Sequence, residues 1–521
     1  MRAIDYFDKA AELYPSRTAM IDGERRYSYA EVQEATRRIA RAMRARGLRG
    51  QQPAAIYSHN DARVLFAMLG ILRANAVWVP INYRNAIDAN VEYLNYVETA
   101  WLFYHSNFQD EVQEIQRRVP SLAHLICFDR QDEGSISLER FLELGEGLPD
   151  VDGGDEYGNP LSLVGLVPTG GTTGPAKGVM VTNRAWGTMT EMASQHWRGE
   201  GEGVCLNPAP LSHAAGVVAF TMSSLGVTNV ILPKFDAGEV LRSIEKYRVT
   251  HLFLPPTAFY ALLAHPQLRE FDYSSMRVFL LAGSPVSPDK LKQGAEVFGP
   301  CLCQSYGQTE SPMLLTFLDQ QTVARAAAGD HPERLQSCGR PTSAVRLGVM
   351  NDDGELLGPG KAGEIVARGS LVTDGYYKMP AATAEIRAHG WHHTGDVGYR
   401  DEDGFYYIVD RKKDMIISGG FNVYCSEVEA GIMALPEVRE CAVIGVPDDH
   451  WGEAVKAMVV LQEHAALSEA EIIAHCKKKL GGVKSPKSVE LVAEIPKTAA
   501  GKTDRKQLRK PYWADAVRGV H

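Results

Sequence analysis

Residues 167–179 read Val-Pro-Thr-Gly-Gly-Thr-Thr-Gly-Pro-Ala-Lys-Gly-Val, and they begin where an apolar stretch, Leu161–Val167, ends. The apolar stretch predicts a buried strand, and the glycine-rich run predicts a loop at its end. Glycines let backbone N–H groups approach an anion closely, threonine hydroxyls add donors, and Lys177 supplies a mobile positive charge. The segment therefore indicates a loop that holds a triphosphate. It differs from a Walker loop, because Gly178 follows the lysine where that motif has Ser or Thr.

Short apolar runs alternate with amphipathic helical stretches between about residues 50 and 310. Two series of buried strands are predicted, at Pro53–Ser58, Ala76–Pro80, Trp101–Tyr104 and His124–Phe128, and then at Val227–Leu232, Thr250–Leu254 and Arg277–Leu281. The stretches Ala30–Arg46 and Asp236–Tyr247 are typical of the helices between them. Strands that alternate with helices of about 10–15 residues form parallel sheets that are covered on both faces. The two series therefore predict two doubly wound α/β subdomains.

The pattern changes after about residue 340 to short strands separated by turns rich in Gly and Asp, which predicts a small β-rich subdomain. After Arg411 a short α/β pattern returns, with predicted strands at Cys441–Val446 and Val455–Leu461 and a predicted helix at Ser468–Leu480. We therefore expect the fold class to be α/β. A large N-terminal domain is expected over residues 1–411, and a small α+β domain is expected over residues 412–521.

Composition excludes several classes of protein. The 521 residues are 45% hydrophobic and 23% charged, which is ordinary for a globular protein and argues against disorder, collagen and coiled coil. The formal net charge is −9, so a chain-wide basic surface for nucleic acid is not expected. Residues 471–521 are locally basic and suit either a solvated face or a dock for an anionic ligand.

The sequence also predicts an intracellular, cytoplasmic protein. The longest apolar run, Val64–Leu72, is far shorter than the roughly 20 residues that cross a bilayer. The N-terminal residues lack the apolar core of a secretion signal. Eight cysteines occur without any Cys-x-x-Cys pair, so neither a disulfide framework nor a zinc site is expected.

Five further segments share an order and spacing with one known group of enzymes. They are Ser305-Tyr-Gly-Gln-Thr-Glu310, Trp391-His-His-Thr-Gly-Asp396, Asp410-Arg-Lys-Lys-Asp414, Ser418-Gly-Gly-Phe-Asn-Val-Tyr424 and Pro496-Lys-Thr-Ala-Ala-Gly-Lys502. Together with the loop at 167–179, they make the chain resemble the adenylate-forming superfamily of acyl-CoA synthetases, luciferases and amino-acid adenylation domains. The resemblance covers nearly the whole chain. It implies that ATP and a carboxylic acid form an acyl-adenylate, which a thiol then attacks.

The resemblance implies a role for each segment in binding ATP and Mg²⁺. The phosphate loop corresponds to Thr169, Gly170, Gly171, Thr172, Thr173, Gly174 and Lys177, and the remaining ATP contacts to Gly283, Ser284, Pro285, Gln304, Ser305, Tyr306, Gly307, Asp396 and Arg411. Tyr306 would pack on adenine, and Asp396 and Arg411 would bind the ribose. Thr309 would reach the α-phosphate and Glu310 would hold Mg²⁺, a cation that prefers oxygen ligands. Lys502 would bridge the phosphate and the attacking carboxylate.

The segment Pro210–Gly216 matches the part of the family that lines the acyl pocket, and this match would place His213 near the carboxylate. The role of His213 stays open between positioning the acid and packing alone. No Asp or Glu occurs between Val204 and Phe220, whereas amino-acid adenylation domains use an aspartate there to pair the substrate ammonium. Burying that cation unpaired is costly. The substrate is therefore expected to be an apolar acid, which is fatty, aromatic or alicyclic. The apolar neighbours that suit such an acid are Val217, Val218, Phe220, Met313 and Leu314.

For the acceptor, the resemblance implies CoA, with its thiol arm passing Gly419 and Gly420. Its nucleotide would lie near Trp451, Lys484 and Lys487. The small C-terminal domain would rotate between the two half-reactions about a hinge near residues 411–413, at Lys413. Two alternatives stay open, namely an adenylating enzyme that loads a separate carrier protein and a nucleotide-binding relative without turnover. The sequence does not indicate the oligomeric state.

Overall fold

The structure is a computed structural model, and it describes residues 1–131, 134–150, 158–169, 176–197, 202–497 and 503–513. These residues form two compact units. The first holds the described residues within Met1–Thr169, Pro175–Leu347 and Ala367–His392, and the second holds those within Gly348–Val366 and His393–His521. The predicted domain boundary near Lys413 stays a prediction.

The N-terminal part of the first unit contains its first α/β layer. Its elements are α1 (Ala3–Leu13), β1 (Thr18–Asp22), β2 (Arg25–Ser28), α2 (Tyr29–Ala45), β3 (Pro53–Tyr57), α3 (Ala62–Arg73), β4 (Val77–Pro80), α4 (Ile87–Tyr96), β5 (Trp101–Tyr104), α5 (Gln109–Arg118), β6 (His124–Cys127), β7 (Ile136–Ser137), α6 (Leu138–Glu143), β8 (Leu163–Pro168) and β9 (Gly178–Thr182). Among them the structure describes a seven-stranded sheet in the order β7-β6-β5-β3-β4-β8-β9. Its described strand pairs run parallel, except that β8 and β9 are antiparallel.

A second layer follows in the chain. Its elements are α7 (Asn183–Trp197), β10 (Val204–Asn207), α8 (Ala214–Ser224), β11 (Thr228–Ile231), α9 (Ala237–Lys246), β12 (His251–Leu254), α10 (Pro256–Leu263), β13 (Val278–Leu281), α11 (Pro288–Phe298), β14 (Leu302–Gln308), β15 (Ser311–Leu318), α12 (Gln320–Ala327) and β16 (Arg340–Pro341). The described strands form a nine-stranded sheet in the order β16-β15-β14-β13-β12-β10-β11-β1-β2. The two predicted α/β subdomains are therefore confirmed, but β1 and β2 from the N-terminus complete the second sheet.

The longest apolar run of the sequence lies inside the first unit as α3. Every residue of α3 except Arg63 is buried, and the helix contacts α1, α2 and α8. A helix that is apolar on every side is a core helix when it is this short. Among the described residues, no helix has the length and apolar character needed to cross a bilayer.

The remaining elements comprise the strands of two smaller sheets and the helices that accompany them. They are β17 (Val345–Met350), β18 (Gly363–Gly369), α13 (Pro380–Glu385), β19 (His392–Arg400), β20 (Tyr406–Arg411), β21 (Ile416–Ser418), β22 (Phe421–Val423), α14 (Cys425–Met433), β23 (Val438–Asp448), β24 (Gly452–Leu461), α15 (Glu469–Lys484), β25 (Ser488–Leu491) and α16 (Arg505–Arg509). The described strands pair in the orders β17-β18-β19-β20 and β22-β21-β24-β23, with β25 beside β24. The predicted β-rich subdomain and small α+β domain are confirmed.

Candidate active site

The nine-stranded sheet brings two of the predicted nucleotide-binding segments to one edge. Strands β13 and β14 are parallel neighbours, with Leu281 opposite Gln304. The carboxyl ends of parallel strands meet at the same edge, where open α/β sheets bind ligands. Gly283-Ser284-Pro285 therefore lies beside Ser305-Tyr306-Gly307, as the proposed adenine site requires.

The end of β14 is shaped by close packing against β15. A Cβ atom on Gly307 would lie 2.6 Å from the backbone nitrogen of Met313, so a side chain does not fit there. Met313 itself has a φ of +64°, an uncommon value for a residue with a side chain. The Ser305 hydroxyl is buried and finds no hydrogen-bond partner among the described residues. A buried polar atom without a partner is rare unless a ligand or water completes it, and this fits a nucleotide beside Tyr306.

Glu310 lies in the turn between β14 and β15, and a tyrosine that the sequence did not single out holds it. The Tyr376 hydroxyl donates a hydrogen bond to Glu310 Oε1 at 2.7 Å, and the Thr373 N–H donates to the Glu310 carbonyl at 2.8 Å. Burial raises the pKa of Tyr376, and the nearby Glu310 carboxylate raises it further, so this hydroxyl stays protonated and donating. One carboxylate oxygen of Glu310 is thereby oriented.

Lys177 reaches the same place from the end of the phosphate loop. Its Nζ lies 4.8 Å from the centroid of the Tyr376 ring, within the range of a cation–π interaction. The base of the loop is closed, because the Thr169 N–H donates to the Lys177 carbonyl at 2.9 Å and the Lys177 N–H donates to Thr169 Oγ1 at 3.2 Å. The predicted contacts Gly170, Gly171, Thr172, Thr173 and Gly174 lie outside the described residues. Lys177, Tyr376 and Glu310 thus form one group.

In the second unit, the two predicted ribose contacts face each other across antiparallel strands. Asp396 on β19 is the register partner of Arg411 on β20, and Arg411 Nε lies 2.8 Å from Asp396 Oδ1. The Asp396 side chain is only 5% exposed, whereas that of Arg411 is 46% exposed. The structure therefore brings these two residues together as a fixed carboxylate and a more accessible cation.

His213 directly precedes α8 and is largely buried. Burial lowers the pKa of the His213 imidazole, a hydrogen bond with the Ser212 carbonyl opposes this change, and Arg84 lowers the pKa further. The ring is therefore neutral at pH 7.

The predicted apolar neighbours divide into two groups, because Val218, Phe220 and Leu314 are buried core residues, whereas Val217 and Met313 are partly exposed.

The predicted CoA contacts also divide into two groups. A Cβ atom on Gly419 would lie 2.8 Å from Trp451 Cε3, so this glycine makes room for the indole, while Gly420 faces open space. Lys487 Nζ lies 4.7 Å from the Trp451 ring centroid. Lys484 is instead bound by both oxygens of Glu427, at 2.7 and 2.8 Å. Gly419, Trp451 and Lys487 therefore form one surface. The Lys484 ammonium is paired with Glu427 and is not available to bind an anion there.

Lys502 lies outside the described residues, but the chain on both sides of its segment is fixed. Lys497 and Thr503 form a β-bridge, and the Asp504 N–H donates to the Pro496 carbonyl at 2.8 Å. Arg505 then forms a largely buried ion pair with Glu429 at 2.6 Å. Burial raises the pKa of the Glu429 carboxyl, and the Arg505 charge opposes this rise.

We expect Arg505→Met to destabilise the C-terminal sheet locally by about 3–5 kcal/mol, because it leaves the Glu429 carboxylate buried without its partner. Hydrogen exchange of the β23 amides in the full chain measures this opening. The matched control is Arg439→Met, which removes an exposed arginine and should change the opening free energy by less than about 0.5 kcal/mol. Equal exchange rates in both variants would show that the Arg505–Glu429 ion pair does not stabilise this sheet.

Comparisons with known proteins identify the family of this chain. The family described as AMP-binding enzyme matches residues 7–377, and the AMP-binding enzyme C-terminal domain matches residues 427–502. The medium/long-chain-fatty-acid–CoA ligase FadD8 of Mycobacterium tuberculosis is 43% identical over 370 residues. That alignment covers 69% of this chain and 63% of the ligase, which is less than two thirds of its length.

Two further relatives match almost end to end. A feruloyl-CoA synthase of an Amycolatopsis species is 34% identical over 511 residues, which cover 97% of this chain and 98% of that one. The solved structure of the amide bond synthetase McbA from Marinactinospora thermotolerans superposes with a TM-score of 0.88 at 28% identity, covering 98% of this chain and 100% of that one. The chain therefore belongs to the AMP-binding enzyme family, and the prediction of an adenylate-forming enzyme of the acid–CoA ligase type is confirmed.

Proposed function

We propose that this ligase converts an apolar carboxylic acid into its CoA thioester through an acyl-adenylate. In the first half-reaction a carboxylate oxygen attacks the α-phosphorus of ATP, and the bond to the bridging oxygen breaks to release pyrophosphate. In the second half-reaction the CoA thiol, losing its proton, attacks the acyl carbon and AMP leaves. The observation that carries the proposal is the convergence of Lys177, Tyr376 and Glu310 at the end of the phosphate loop.

This group suits the charge that develops in the first half-reaction. Negative charge gathers on the phosphoryl oxygens, so positive groups and donors must be in place beforehand. Lys177 provides one such charge, and the protonated Tyr376 hydroxyl keeps the Glu310 carboxylate oriented.

Glu310 is the residue that would hold Mg²⁺. Bound there, the cation would neutralise phosphate charge. The described residues contain no cluster of three His, Cys, Asp or Glu side chains that could hold a metal ion. This fits Mg²⁺, which usually binds through one or two carboxylates together with substrate phosphates and water.

The site chemistry favours an acid without an amino group. The segment around His213 contains no carboxylate, and His213 itself is neutral, so nothing in it would pair an ammonium ion. The relatives support this choice, since their names specify a fatty acid and the aromatic feruloyl group. Fatty, aromatic and alicyclic acids stay within the proposal.

A pair of substrates tests this directly. Phenylalanine and 3-phenylpropanoate differ only by the α-ammonium group, so their comparison isolates the cost of burying that cation. We expect kcat/KM for 3-phenylpropanoate to be at least about 100-fold higher, which corresponds to roughly 3 kcal/mol. Pyrophosphate release at saturating ATP measures both. A preference for phenylalanine would overturn the assignment of the acyl pocket.

CoA is the proposed acceptor, because the glycine pair Gly419-Gly420 lies beside an aromatic ring and a cation, Trp451 and Lys487. A separate carrier protein is the alternative. Transfer would follow rotation of the C-terminal domain about Lys413. The proposal includes a cytoplasmic location, because the spacing of the eight cysteines does not predict a disulfide framework.

A further inference from the structure

A single carboxylate, Glu364 on β18, joins β19 to the segment that follows β20. Its Oε1 accepts a hydrogen bond from the Gly395 N–H at 3.0 Å. Its Oε2 lies 3.0 Å from His393 Nδ1 and accepts from Lys412 Nζ at 3.2 Å. Gly395 directly precedes Asp396, and Lys412 directly precedes Lys413. Glu364 therefore connects the proposed ribose contact to the proposed pivot.

The Glu364 side chain is only 10% exposed, so its partners determine its charge. Burial raises the pKa of the Glu364 carboxyl, but the hydrogen bond from His393 and the charge of Lys412 outweigh this effect and lower the pKa overall. The carboxylate is therefore ionised at neutral pH. A buried ion of this kind is held far more firmly than an exposed one.

The exposed partner of the same lysine provides a contrast. Lys412 Nζ also donates to Asp352 Oδ1 at 2.8 Å, but the Asp352 side chain is 89% exposed. An ion pair with so exposed a partner contributes little because water and salt screen it. Glu364 therefore anchors Lys412, and Asp352 contributes little to holding it.

A second anchor lies on the other side of Lys413. Asp414 forms an ion pair with Arg509 of α16 at 2.9 Å, and both side chains are largely buried. The Cys425 thiol, at the start of α14, donates to the Asp414 carbonyl at 3.1 Å. Lys412 is thus attached to the sheet that carries Asp396, and Asp414 is attached to the helices of the C-terminal α+β domain. One residue separates the two anchors.

We propose that Glu364 is a positioning residue that confines the interdomain pivot to Lys413 and ties it to the ribose site. The inference rests on the proposed function, because only a two-step enzyme needs two defined poses. Without the anchor at Lys412, the flexible segment lengthens and the C-terminal domain samples more orientations. Each productive pose is then less populated, and a reaction that requires one pose slows in proportion.

The test compares Glu364→Gln, Lys412→Met and the control Asp352→Asn in the full chain. We expect Glu364→Gln and Lys412→Met each to slow thioester formation from isolated acyl-adenylate about tenfold. KM for ATP should stay within about twofold, since the glutamine carbonyl still accepts from Gly395 and Lys412 is not one of the predicted ATP contacts. Asp352→Asn should change neither rate by more than about twofold. Lys412→Arg should restore most of the rate, because it keeps the cation.

Two outcomes would overturn the inference. The first is an unchanged transfer rate in both Glu364→Gln and Lys412→Met. The second is an equal loss in both half-reactions without rescue by Lys412→Arg, since a merely structural residue behaves in this way. The double variant should be no slower than either single variant, because the two residues act through one contact.

Hydrogen exchange across residues 410–416 provides a readout that does not depend on catalysis. Glu364→Gln and Lys412→Met should extend rapid exchange from Lys413 to its neighbours, while Asp352→Asn should not. If the wild-type chain activates no acid, the proposed function is wrong. The exchange pattern would still show whether Glu364 and Lys412 hold the segment around Lys413. Unchanged exchange in an active enzyme would remove the anchor alone.

Discussion

Replacing Lys502 with alanine is expected to slow acyl-adenylate formation about 10²–10³-fold, equivalent to roughly 3–4 kcal/mol of transition-state stabilisation. The lysine is assigned to the charge that develops between the attacking carboxylate and the α-phosphate, so its removal should act on that step alone. Thioester formation from supplied acyl-adenylate should survive, because it needs no triphosphate. Single-turnover pyrophosphate release and acyl-CoA formation measure the two steps separately.

The matched control for this variant is Lys506→Ala. Lys506 is an exposed lysine on α16, four residues further along the chain. It should leave both steps within about twofold of the wild type, as expected for a surface substitution. Equal loss of both half-reactions in Lys502→Ala would contradict its proposed role and indicate a folding defect.

The second large effect is expected for Lys413→Pro. Residues Lys412–Asp414 form a single 3₁₀ turn, and such turns have φ values of roughly −50° to −70°. Proline fixes φ near −65°. This value lies within the range of such turns, and fixing it restricts a rotation that needs a different φ. We expect adenylation to persist while acyl-CoA formation from isolated acyl-adenylate falls by more than about tenfold.

Lys413→Ala serves as the control, since it removes the ammonium but leaves the backbone free to rotate. Transfer should be much faster in Lys413→Ala than in Lys413→Pro. Equal rates in the two variants would assign the effect to the lost charge. Unchanged transfer in Lys413→Pro would remove Lys413 as the pivot.

The sequence was most informative where neighbouring residues act together. The predicted phosphate loop around Lys177, the run Ser305–Glu310 and the segments containing Asp396 and Arg411 can be proposed from the sequence because each combines several candidate site residues within a few positions. The alternating strands and helices likewise predicted both parallel sheets, since buried parallel strands are short continuous apolar runs.

Residues whose partners are far away in the chain were not predicted. Tyr376 contacts Glu310 across 66 positions, and Glu364 contacts Lys412 across 48. A lone tyrosine or glutamate has no local pattern that separates it from a core or surface residue, so only the fold reveals its role. The same limit applies to Arg505 and Glu429. The N-terminal strand β1 was also missed, because a single short strand does not show which sheet it joins.

Acid–CoA ligase activity is tested most directly by pyrophosphate release from ATP and Mg²⁺ with a panel of acids, each measured with and without CoA. We expect release with at least one fatty, aromatic or alicyclic acid. With CoA absent, release should stop near one equivalent per enzyme, and with CoA present it should turn over and yield the matching acyl-CoA. No release with any acid of these classes, or multiple turnovers that do not depend on CoA, would contradict this activity.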